Sequence, residues 1–149
     1  MFARDEIDRF IPHRDPFVFV DEVVAFEPHR RAVGRWRLTG DECFWPGHFP
    51  AEPILPGVLI LEHMAQTASF LVARSGVEAG ERDDGLPMRR MVLGGVERAR
   101  FYRPVRPGET LNTEVSVIKL LGNVGLLQAR SDVDGTTVAR ARFQFGALT

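Results

Sequence analysis

The sequence predicts an α+β fold in which an antiparallel sheet wraps around one long helix. Three observations carry this expectation. The last third of the chain reads as strands joined by tight turns, and an earlier segment, residues 57 to about 74, reads as a helix that is apolar on almost every side. The length of 149 residues, with 44% hydrophobic and 26% charged composition, supplies a core for one domain spanning residues 1–149 and is short for two.

The elements follow in chain order. Residues 4–10 suggest a short helix stopped by Pro12, and residues 17–24 are β-branched and aromatic, as strands prefer. Arg35, Trp36, Arg37 and Leu38 alternate charged with apolar, the pattern of a half-exposed strand. Pro46, Pro50, Pro53 and Pro56 then make a stiff loop without ladder hydrogen bonds. The helix from Gly57 contains Leu, Met, Ala and Gln at helix-favouring density, with Pro56 tolerated at its first turn. A helix apolar all round must be enclosed, and a small sheet hardly covers it alone, so a partner subunit is expected.

Residues 75–87 turn polar and acidic and read as an exposed loop. Residues 91–102 form a long strand with a bulge at Gly94-Gly95. Strands at residues 111–120 and 124–131 flank a Gly122-Asn123 turn, Asp134-Gly135 marks a hairpin, and Ala139, Ala141, Phe143 and Phe145 alternate with polar residues in a last half-buried strand.

Composition excludes several classes of function. The 19 basic and 20 acidic residues give a formal charge of −1, so no global cationic field exists for nucleic acid. The longest apolar stretch, residues 54–73, contains Pro56, Glu62, His63 and Gln66, which argues against membrane insertion. A single cysteine, Cys43, forms no internal disulfide, and the charged N-terminal residues do not resemble a secretory signal; a reducing cytoplasm fits.

Two features stand out chemically. A loop histidine such as His48 is by itself an ordinary residue, yet its imidazole, with a reference pKa near 6.5, is a usable base. Glu62 lies in the enclosed helix, where burial would disfavour the anion and leave a protonated carboxyl able to act as a general acid. Gln66, one turn beyond, can orient that carboxyl, and a purely structural Glu62–Gln66 hydrogen bond is the alternative. Gly57 opens the helix and presents a backbone N–H at the positive end of its dipole, a place for a developing oxyanion. No metal site is expected, because His48, Glu62 and His63 match neither H-E-x-x-H nor H-x-x-E-H. Nucleotide-binding and serine-hydrolase motifs are absent from the sequence.

Ile11-Pro12-His13-Arg14, Val20-Asp21, Gly47-His48-Phe49-Pro50, Pro56-Gly57-Val58-Leu59-Ile60-Leu61-Glu62, Met64-Ala65-Gln66, Ala99-Arg100-Phe101, Arg103-Pro104-Val105 and Pro107-Gly108 together resemble the FabZ-type 3-hydroxyacyl-[acyl-carrier-protein] dehydratases. The resemblance runs nearly end to end, and the fourteen-residue step from His48 to Glu62 is its most specific element. It implies a hot-dog fold, paired into a homodimer and often assembled as a trimer of dimers. It implies that His48 is the catalytic histidine, Glu62 the carboxylate contributed by the other protomer, and Gly57 the glycine whose N–H polarises the thioester carbonyl. Phe49 and Val58 would shape the acyl tunnel.

The implied reaction converts a (3R)-3-hydroxyacyl thioester, carried on the phosphopantetheine of acyl carrier protein, to the trans-2-enoyl thioester in fatty-acid or related polyketide and lipid biosynthesis. It needs no metal or redox cofactor. Sister enzymes of the FabA type have Asp at the position of Glu62, so dehydration without isomerisation is favoured. The chain departs from the family at Asp15, where an aromatic residue is common, and at Pro46, where a polar one is usual. An acidic carrier would find six arginines against the single acid Glu97 between Met88 and Arg106, with Arg98, Arg100, Arg103 and Arg106 the docking candidates. The competing readings are a hot-dog acyl thioesterase using Glu62 to activate water, and a non-catalytic scaffold for acyl chains or carrier protein.

Overall fold

Seven strands and one long helix account for most of the computed structural model, which describes residues 1–81 and 91–148. In chain order they are β1 (Phe2–Ala3), α1 (Arg4–Ile7), β2 (Glu22–Glu27), β3 (Arg31–Arg37), a 3-10 turn at Trp45–Gly47, α2 (Gly57–Glu78), β4 (Met91–Phe101), β5 (Thr110–Leu121), β6 (Val124–Val133) and β7 (Thr136–Ala147). The strands form one antiparallel sheet in the order β1-β2-β3-β5-β6-β7-β4. The sheet curls around α2, giving the expected α+β hot-dog arrangement.

Alternation along each strand builds the core. Ala32 and Trp36 of β3, Leu111 and Val115 of β5, Leu127 and Ala129 of β6, and Ala139, Ala141, Phe143 and Phe145 of β7 share one buried cluster with Met64, Ala68 and Leu71 of α2. Helix and sheet approach closely at Gly34. A Cβ there would lie 2.2 Å from Thr67 Oγ1, so only glycine lets α2 settle on β3.

The Asp134-Gly135 turn has both residues at positive φ, 50° and 81°, the geometry that matches the twist of a tight hairpin. The Gly94-Gly95 bulge is present as a register shift between Leu93 and Gly95 against β7. A second shift falls between Glu97 and Arg100, with Arg98 at φ 53°.

Three sequence expectations need correction. The first helix ends at Ile7, and residues 8–10 continue as a turn in which the Phe10 and Ile11 N–H groups both reach the Ile7 carbonyl. Residues 17–20 belong to no strand; β2 begins only at Glu22. Their backbone groups bond to side chains of α2: Phe19 N–H donates to Gln66 Oε1 at 2.8 Å, and the Phe17 and Phe19 carbonyls face Gln66 Nε2 at 3.1 Å and His63 Nδ1 at 2.6 Å.

Finally, α2 runs through residues 75–78, which composition suggests are loop. Ser75 is buried because its hydroxyl accepts the His29 N–H at 2.8 Å, and Arg74 pairs with Glu78 one turn on. Residues 79–81 turn out of the helix, and residues 82–87 of that expected loop lie outside the described residues.

Candidate active site

His48 is held by a loop with its own carboxylate staple. Glu42 accepts the Thr39 N–H at 2.8 Å, the Gly40 N–H at 2.9 Å and the Trp45 indole N–H at 2.9 Å. Partial burial pushes its pKa up, but the Trp45 and backbone hydrogen bonds outweigh it and hold the carboxyl below the usual range. Trp45 begins the 3-10 turn, Pro46 sits at its start, where a missing N–H is harmless, and His48 closes it. Pro46 is therefore accommodated without loss.

The ring of His48 is oriented by one bond. His48 Nδ1 lies 2.9 Å from the Ile54 carbonyl, and because a carbonyl only accepts, the proton of the neutral ring is on Nδ1. Nε2 then carries the free lone pair. Phe49 stacks on the imidazole with centroids 4.2 Å apart, and the Ile54 N–H returns to the His48 carbonyl at 2.9 Å. The Leu55 N–H, bonded to the Val105 carbonyl at 2.7 Å, ties this loop to the chain beyond β4.

Glu62 belongs to a different constellation. Gln66 Nε2 donates to Glu62 Oε1 at 2.9 Å, the pairing expected from their spacing, and His13 Nε2 lies 3.3 Å from the same oxygen. Glu62 is not the buried carboxyl that was expected: its side chain is 24% exposed in the single chain. The buried titratable group is its neighbour His63, fully enclosed, with Nδ1 on the Phe19 carbonyl. Desolvation lowers the His63 pKa to about 4 against the opposing pull of its backbone hydrogen bonds. Sequence reasoning missed both His13 and His63 as site residues, although His13 stands within Ile11-Pro12-His13-Arg14 and His63 adjoins Glu62.

At the start of α2 the Gly57 N–H has no hydrogen-bond partner among the described residues. A Cβ at Gly57 would meet the Phe101 ring at 3.1 Å, so the absence of a side chain lets that ring pack close against the helix start. Val58 and Phe49, the two tunnel candidates, are 72% and 51% exposed.

The structure thus brings Glu62, Gln66 and His13 together, and separately His48, Phe49 and Ile54. Among the described residues no hydrogen bond or ion pair joins His48 to Glu62 within one chain. Of the docking candidates, Arg103 pairs with Glu109 at 3.3 Å and Arg106 with Glu52 at 3.0 Å. Arg98 and Arg100 instead line a shallow groove of about 830 Å³ on the sheet, together with Arg130, Arg140 and Arg142. None of His48, Gly57 or Glu62 lines that groove. Among the described residues no group of three or more His, Cys, Asp or Glu is placed to hold a metal ion, and no helix is long and apolar enough to cross a membrane.

Comparison with known proteins places these residues in context. The family model described as the FabA-like domain matches residues 11–142. The 3-hydroxyacyl-[acyl-carrier-protein] dehydratase FabZ of Anaeromyxobacter dehalogenans is 46% identical over 137 residues, 92% of this chain and 85% of the relative. FabZ of Herpetosiphon aurantiacus is 39% identical over 148 residues, 99% of each chain. Among solved structures, the dehydratase heterocomplex ApeI:P of Xenorhabdus doucetiae superposes with a TM-score of 0.80 at 20% identity, covering 96% of this chain and 91% of its counterpart. A hypothetical thioesterase of Streptococcus pneumoniae, solved with coenzyme A, superposes at 0.64 and 9% identity over 85% of this chain and 84% of its own. At such identities these two structures speak to the fold.

Proposed function

The chain belongs to the FabA-like family, among its FabZ-type 3-hydroxyacyl-[acyl-carrier-protein] dehydratases, and from that premise we propose that His48 is its general base and Glu62 of the partner protomer its general acid. The observation that carries this reading is the bond from His48 Nδ1 to the Ile54 carbonyl, which leaves Nε2 as an oriented, unprotonated acceptor.

His48 Nε2 takes the proton from the carbon next to the thioester carbonyl. The enolate-like oxygen that develops is met by the Gly57 N–H, reinforced by the α2 dipole. The carboxyl of Glu62 gives its proton to the 3-hydroxyl, the carbon–oxygen bond breaks, water leaves, and the trans-2-enoyl thioester remains. The proton gained by His48 restores the starting state by passing through water to Glu62.

The absence of a His48–Glu62 contact within one chain supports a shared site. So do the exposed apolar side chains Phe17, Phe49 and Val58, and the position of β4 at the sheet edge, where among the described residues β7 is its one neighbour. A homodimer, or a trimer of dimers, would cover them and bring the two halves together. The acyl chain would pass Phe49 and Val58. The carrier protein would dock on arginine side chains, Arg98 and Arg100 before Arg103 and Arg106, since the latter pair already answer Glu109 and Glu52. A cytoplasmic setting is the one in which a carrier-bound substrate of this kind would be met.

The decisive assay follows enoyl formation and thiol release together on 3-hydroxyacyl-carrier substrates. His48→Ala and Glu62→Gln each lose about a hundredfold or more in kcat with no free thiol released. Mixing the two inactive variants as heterodimers restores turnover, because one site then has both groups. Thiol release without enoyl formation favours the thioesterase instead, and failure of the mixture to recover refutes the shared site.

A further inference from the structure

We propose that His13 is a positioning residue for Glu62, holding Oε1 of the carboxyl together with Gln66 so that Oε2 is the oxygen that delivers the proton. The inference rests on Glu62 being the general acid and names how that acid is aimed. Gln66 Nε2 at 2.9 Å and His13 Nε2 at 3.3 Å address the same atom, Glu62 Oε1.

The amide of Gln66 has no freedom to flip. Its oxygen takes the Phe19 N–H, so its NH₂ faces Glu62 and the Phe17 carbonyl. Oε1 is therefore an acceptor, and a proton placed on it would oppose the Gln66 N–H. The acidic proton belongs on Oε2.

The state of His13 follows from its other nitrogen. Nδ1 is buried and has no partner among the described residues of one protomer. A buried N–H without an acceptor costs more than a buried lone pair without a donor, so the ring carries its proton on Nε2, facing Glu62. In the opposite tautomer His13 would accept a proton from Glu62 and compete with the substrate hydroxyl. The ring is fixed from both sides. It stacks on Phe17 at 6.5 Å between centroids and 22° between planes, and Arg14 clamps its loop by donating to the carbonyls of Ile11 at 2.9 Å, His13 at 2.6 Å and Asp8 at 3.0 Å. The Phe17 carbonyl is held in turn by Gln66, so the four side chains form one unit around the carboxyl.

The test uses the full-length protein and a 3-hydroxyacyl-carrier substrate. His13→Gln keeps an N–H donor near the position of Nε2; His13→Asn keeps one only near Nδ1; His13→Phe keeps the stacking and removes both nitrogens. His13→Asn and His13→Phe should each lose about ten- to a hundredfold in kcat with KM little changed, while His13→Gln stays within about threefold of the wild type. In the Glu62→Gln background, His13→Asn should cause no further loss. Retained kcat in both nitrogen-deleting variants, equal loss in His13→Gln, or a further fall on top of Glu62→Gln overturns the proposal. A fully active Glu62→Gln protein overturns the general-acid reading itself, and this inference with it.

Discussion

Acidification should unfold this protein partly through one residue, His63. The folded state encloses its ring and lowers the pKa to about 4, whereas in the unfolded chain the ring returns to about 6.5. Below that unfolded value the unfolded chain binds a proton that the folded chain refuses, so stability falls as pH falls, and the loss is complete once pH passes the folded value. A difference of about 2.5 units corresponds to about 3 kcal/mol, of which about 2 kcal/mol is lost by pH 5 and almost none at pH 7.

The perturbation is His63→Gln, whose amide can still reach the Phe19 carbonyl but does not titrate. Urea unfolding at fixed protein concentration, repeated from pH 7.5 to 4, gives the stability difference between wild type and variant at each pH; taking that difference removes the titration of carboxylates common to both. The wild type should lose about 3 kcal/mol relative to the variant across this range. A pH-independent difference, or a His63 ring signal in NMR that titrates near 6.5 in the folded protein, would refute the reasoning.

Further outcomes follow from other contacts. Gly34→Ala drives a Cβ into Thr67 Oγ1 and should destabilise by about 1–3 kcal/mol, with most of the loss recovered in Gly34→Ala/Thr67→Ala, as thermal melts of the four proteins would reveal. Glu42→Gln leaves at least one of its three N–H donors poorly paired, loosens the turn that ends in His48, and should lower kcat more than it lowers melting temperature. Arg100→Glu should raise KM for carrier-bound substrate far more than for a pantetheine mimic; equal effects on both remove the docking surface. In the ladder Arg100 lies opposite Arg140, itself opposite Arg130, and so this row of like charges favours an anionic partner.

What the sequence reveals of this architecture depends on whether the deciding interaction is local. The alternation of Leu111, Thr113 and Val115, and of Ala141, Phe143 and Phe145, is legible because strand periodicity is written in adjacent residues, and Asp134-Gly135 because turn chemistry is. Residues 17–20 have the composition of a strand, yet the Phe17 carbonyl and both backbone groups of Phe19 bond to side chains more than forty residues away, which no local pattern can announce.

The same long-range contacts decide which face of α2 is inside. A helix apolar on every side carries little information about its own rotation, so the burial expected of Glu62 falls on its neighbour: His63 is drawn in by the Phe19 carbonyl, and Glu62 is left half-buried beside His13. His48 and Glu62 are legible as a spaced pair of motifs. The bond that selects the His48 tautomer comes from Ile54, six residues on, and only the folded loop supplies it.

The Phe19 amide hydrogen, shared with a side chain and not with a neighbouring strand, offers an unmodified spectroscopic probe of the surroundings of the Glu62 carboxyl. Its chemical shift and exchange rate depend on the rotamer of Gln66, whose other end touches Glu62. A ligand that displaces or tightens the carboxyl should therefore be seen at a backbone nitrogen two hydrogen bonds from that carboxyl, in a residue that the ligand itself need never contact.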